Sequence, residues 1–86
     1  MTNNSKIKCL YKLMYQSNNK SVEDFISNTN FFYYADLFGL GGYGSEHKED
    51  LEWGFSISSN KLLVIHFDIV NDILTNGVVT FKTIQK

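Results

Sequence analysis

Apolar residues near the N-terminus recur with helical spacing: Ile7, Leu10, Tyr11 and Met14 stand at i, i+3, i+4 and i+7, with Lys6, Lys8 and Lys12 largely off that stripe. This predicts a first helix whose apolar face needs something to pack on. Ser17 to Lys20 breaks the pattern. Ser21 then stands three residues before Asp24, approximating a capping box, and Glu23 also favours a helix start. A second, shorter helix is expected there, burying Val22, Phe25 and Ile26 and ending near Asn28-Thr29-Asn30. Phe31 to Phe38, FFYYADLF, fits an extended aromatic run or one helical face through Phe31, Tyr34, Ala35 and Phe38; a short helix is preferred.

The second half of the chain changes period. Leu51, Trp53, Phe55 and Ile57 alternate with Glu52, Gly54, Ser56 and Ser58, the pattern of a half-buried strand. A turn at Ser58-Ser59-Asn60 leads into KLLVIHFD, Lys61 to Asp68, so the pair reads as an antiparallel hairpin. The unbroken apolar run Leu62 to Ile65 places this second strand centrally in a sheet. Ile69 to Gly77 has two readings: a two-turn helix capped by Asp68 with Gly77 as its C′ residue, which is preferred, or a strand entering an Asn76-Gly77 type I′ turn. Val78 to Ile84 closes the chain as a strand. The expected fold is α+β, one domain over residues 1–86, with two or three short helices packed on a small antiparallel sheet of three or four strands.

Between these halves lies DLFGLGGYGSEHKEDLEW, Asp36 to Trp53, a glycine-rich stretch running into an acidic one. Gly39, Gly41, Gly42 and Gly44 loosen the backbone, and Glu46, Glu49, Asp50 and Glu52 follow within seven residues. The stretch carries a formal charge of -4, against +2 for residues 1–35 and +1 for residues 54–86, so the net charge of -1 hides a concentrated negative region. Such a region repels phosphate and attracts basic protein surfaces. Scattered lysines, no arginine and a pI near 6.0 argue against direct nucleic-acid binding.

Composition narrows the class further. A hydrophobic content of 43% and an aromatic content of 15% exclude a disordered chain, and no apolar run reaches the roughly 20 residues of a membrane span. No export signal is visible and the one cysteine, Cys9, has no internal disulfide partner, so the cytoplasm is the expected compartment. Cys9 reads as a small core or helix-face residue.

Gly39, Gly41 and Gly44 match G-x-G-x-x-G in letters, but a nucleotide loop needs a preceding strand, a following helix and no adjacent negative charge. His47 among Glu46, Glu49 and Asp50 matches no standard metal loop, and His66 reads as a surface or satisfied sheet histidine. No nucleophile, base and orienter declare themselves, so no catalytic residues, metal or cofactor are assigned. A partner-binding surface is the remaining reading. Its candidate residues are the carboxylates Glu46, Glu49, Asp50 and Glu52, with Tyr43 and Trp53, and Tyr33 beside them, as aromatic anchors.

The order of Phe25 and Ile26 in a short helix, Phe31-Phe32-Tyr33-Tyr34, GLGGYG, the acids, Trp53 with FSIS, and LLVIHF resembles the small immunity proteins of bacterial contact-dependent growth inhibition systems. The likeness is to the group that answers ribonuclease toxins, and it covers about residues 22–67. It implies a cytoplasmic, non-enzymatic inhibitor that binds the C-terminal nuclease domain of a cognate toxin, its acidic loop covering the basic active-site surface. The alternative of the same size and charge is a phage- or mobile-element-encoded inhibitor of a host defence nuclease.

Overall fold

The computed structural model describes residues 3–30, 33–34 and 42–83. In chain order these form helices α1 (Asn3–Ser17) and α2 (Val22–Asn28) and strands β1 (Gly42–Glu46), β2 (Asp50–Ser58), β3 (Lys61–Val70) and β4 (Ile73–Thr83). The strands make one antiparallel sheet in the order β1-β2-β3-β4, with the helices packed on one face, so the expected α+β class is the observed one.

The core lies between the helices and that face. Leu51, Trp53 and Phe55 of β2, Leu63, Ile65 and Phe67 of β3 and Leu74 of β4 meet Leu10, Leu13 and Met14 of α1 and Val22 and Phe25 of α2. Phe25 is fully buried, with its ring centroid 4.6 Å from that of Trp53 and 5.7 Å from that of Phe67. Each such ring removes a large apolar area from water, which in a domain this small is most of what offsets chain entropy. The buried stripe of α1 runs through Leu10, Leu13, Met14 and Ser17. Tyr11, expected on the stripe, is instead exposed and stacks on Tyr15. Ile26 is likewise exposed, because Phe25 takes the inward position and Ile26 stands about 100° round the helix from it.

The local signals for α2 operate as expected: the Ser21 hydroxyl accepts from the Asp24 N–H at 3.0 Å, and the Thr29 N–H closes the last turn on the Phe25 carbonyl. Within the aromatic run only Tyr33 and Tyr34 are described; they are helical, with Asn30 accepting from both backbone N–H groups, and the rest of that expected helix lies outside the described residues. The turn at Ser59-Asn60 and the central place of β3 agree with the sequence reading.

Two segments depart from it. Gly42–Glu46, expected as loop, is the edge strand β1, paired from Gly42↔Phe55 to Glu46↔Leu51. Ile69 to Gly77 is neither the preferred helix nor a hairpin turning at Asn76-Gly77. β3 continues to Val70 and turns at Asn71 and Asp72, whose φ values of 51° and 64° make a type I′ turn. The strand wins because both sides of it find partners. The Ile69 N–H donates to the Glu49 carbonyl, and the Leu74 N–H and carbonyl pair with Lys20 and Asn19 of the α1–α2 connection. Asn76 and Gly77 then lie together opposite Phe67 as a bulge. A Cβ on Gly77 would come within 2.7 Å of both Met14 and Phe67, so the bulge lets α1 sit directly on the strand.

Candidate functional site

The acidic stretch is not a loop but the β1–β2 hairpin, and alternation along its strands divides the carboxylates between two faces. Glu46, opposite Leu51, belongs to the helix side. Asp50 and Glu52, together with Tyr43, belong to the opposite face, which no described helix covers. Glu49 is in the connecting turn, where its carbonyl accepts from Ile69.

What the hairpin loses in local concentration the fold restores from elsewhere. The β1–β2 turn, the β3–β4 turn and the first turn of α2 meet at one end of the sheet: Ser21 bridges Ile73, and the Val22 N–H donates to the Asp72 carbonyl at 2.9 Å. Glu23 and Asp24, Glu46, Glu49 and Asp50, and Asp68 and Asp72 therefore stand at this one end, seven of the nine carboxylates of the chain, with Asp50 and Asp68 paired in register on the open face and Glu23, Glu46 and Asp72 at the groove on the helix side. Between α2 and the hairpin lies a groove of about 420 Å³. Val22, Ile26 and Ile69 give it an apolar floor, Glu23, Glu46 and Asp72 an acidic rim, and His47 and Lys48 its other lip. An exposed apolar floor with a charged rim suits a long cationic side chain, which buries its stem and keeps its head at the rim.

The open face of the sheet is built differently. Tyr43 stands opposite Gly54 in register, and its ring occupies the space a Cβ at Gly54 would need. The Glu52 carboxylate accepts from Lys82 Nζ at 3.0 Å, a pair running diagonally across β3 above Val64, and its charge also acts on the nearby Tyr43 hydroxyl. Val64 and Gly54 are both buried as a result, on a face that no described helix covers. Burial, then the nearby Glu52 charge, pushes the Tyr43 hydroxyl above its ordinary pKa, with Lys82 partly offsetting them. The hydrogen bond to Glu52, reinforced by its charge, raises that of Lys82. Asp50 is held by His66 Nε2 at 3.3 Å, so His66 is a satisfied sheet histidine.

Of the residues expected to bind a partner, Glu46, Glu49 and Asp50 reach the acidic end. Glu52 and Tyr43 are engaged with each other on the open face. Trp53 is 7% exposed and belongs to the core beside Phe25, so the anchor role assigned to it is withdrawn: a buried indole offers a partner little surface. Tyr33 is 57% exposed. Glu23, Ile26, Ile69 and Asp72 were missed as site residues; the only sequence signal was that Glu23 and Asp72 adjoin turns. Among the described residues no group of three or more His, Cys, Asp or Glu is arranged to hold a metal ion, and no helix is long and apolar enough to cross a membrane. Comparison with family models, curated proteins and solved structures finds no match for this chain.

Proposed function

We propose that this chain is a small protein-binding domain that neutralises a nuclease, the C-terminal nuclease domain of a cognate toxin, by docking its acidic end on the enzyme's basic surface. The observation that carries the reading is the convergence of carboxylates from three separate segments around an apolar-floored groove. A nuclease must present cationic groups to phosphate, and an inhibitor carrying the opposite charge occupies that surface and excludes substrate. Close charge pairs across nuclease–inhibitor interfaces couple by about 1.5–7 kcal/mol, enough to dominate binding. The family resemblance over residues 22–67 supports the same choice of partner. On this reading the protein acts without turnover, and Ile26, 46% exposed at the groove, supplies apolar contact in place of Trp53.

The test is co-expression with the toxin domain encoded immediately upstream, purification through a tag on the toxin alone, and a nuclease assay on the product. A stable complex with silenced activity is the expected result. Absence of co-purification together with no rescue of growth would sink the toxin reading.

A further inference from the structure

Among the described residues, the free edge of β4 is protected over its first half and bare over its second. The α1–α2 connection pairs with Asp72 and Leu74, and the side-chain carbonyl of Asn18 accepts from the Gly77 N–H at 3.0 Å. Those bonds fix the phase: Leu74 and Gly77 turn their N–H groups away from β3, so after Gly77 the residues facing outward are Val79, Phe81 and Thr83, while Val78, Thr80 and Lys82 bond β3. Among the described residues nothing pairs with that outward row.

The usual guards of an edge are missing here. Val78 to Thr83 contains no proline and no carboxylate, and its one charge, Lys82, is drawn across the open face to Glu52. Phe81 is 58% and Val78 47% exposed on this bare length. A strand with no carboxylate and an outward ladder offers nothing to the basic partner suited by the acidic end. It does match its own copy. Antiparallel pairing about a two-fold axis at Phe81 sets Phe81 beside Phe81, Val79 opposite Thr83 and Lys82 opposite Thr80, so every bonded pair is in phase and no charges are opposed.

We propose that β4 pairs edge to edge with β4 of a second copy, extending the sheet through Val79–Thr83 into a two-fold dimer. Five residues a side fall short of the roughly 1,200 Å² at which standard interfaces begin, so the dimer is reversible and grows with concentration. Neither the acidic end nor its groove takes part, which makes the dimer independent of the partner reading.

Sedimentation equilibrium of the full chain up to millimolar concentration reads it, with amide exchange alongside. A dimer that forms with concentration, with the Val79, Phe81 and Thr83 amides gaining protection in step, is expected. Thr83→Pro removes an outward N–H without touching a bond to β3, and Phe81→Glu places like charges at the axis. Each should abolish the dimer, and an unchanged far-ultraviolet spectrum and thermal midpoint in at least Phe81→Glu shows that folding is intact. A chain monomeric at every concentration, or a dimer that survives Phe81→Glu, overturns the proposal.

Discussion

Glu52 shows how little a single side chain's role is its own. In sequence it is one of four clustered acids, indistinguishable from Glu49; in the fold it faces Lys82, thirty residues on, and Tyr43 from the neighbouring strand. Tyr43 and Lys82 both have their protons held more tightly in the folded chain than at the ordinary values of 10.0 and 10.5. Stability from this cluster is therefore complete below those values and is lost as pH rises through the raised ones, since the unfolded chain releases these protons first. Glu52→Gln removes the charge that raises both, so its unfolding midpoint in urea should fall less steeply across the tyrosine and lysine titration range than that of the parent. Burial of Tyr43 and of Tyr34, which raises the pKa of each hydroxyl, would remain to shape it. Equal slopes in the two proteins would show that the carboxylate does not couple to either group. Trp53 makes the complementary point: alternation correctly placed its side chain on the buried face of β2, and a tryptophan there is core before it is an anchor.

Among the elements, the β3–β4 hairpin was the least legible. Ile69, Val70, Ile73 and Leu74 satisfy a two-turn helix and a pair of strands equally well, and Asn-Asp is a weaker turn signal than the Asn-Gly that follows it. Distant bonds to Glu49, Lys20 and Asn19 decide the matter. The turn that results keeps an aspartate at φ 64°, the left-handed region, where glycine carries no Cβ penalty. Asp72→Gly should therefore stabilise the fold by about 1 kcal/mol, read as a higher urea midpoint, while removing one carboxylate from the groove rim and weakening partner binding. Stability and affinity moving in opposite directions would identify Asp72 as a residue held in place for its charge; a loss of both would point to a structural part for its side chain instead.

At the scale of the whole molecule, charge is sorted rather than scattered. α1 carries lysines and no acid, and the end of the sheet at the β1–β2 and β3–β4 turns gathers most of the carboxylates. Because their fields add over distances comparable with the Debye length of about 8 Å at physiological salt, acids remote in sequence should count as heavily as those in the hairpin. The double variant Glu23→Lys with Asp72→Lys is expected to weaken binding to the nuclease domain as much as Glu46→Lys with Glu49→Lys, both mainly through association rate and with a flattened salt dependence. A loss confined to the hairpin pair would return the site to the local acidic stretch. Periodicity by itself determined α1, α2, the β2–β3 hairpin, the central place of β3 and the α+β class, because those signals are written in neighbouring residues that share one face. The tertiary structure alone decided that glycines 42 and 44 lie in a strand, that Ile69 to Gly77 is hairpin and bulge, and that Glu23 and Asp72 join Glu46 around one groove. Those outcomes depend on backbone bonds and side chains brought together from far along the chain, which no local pattern records.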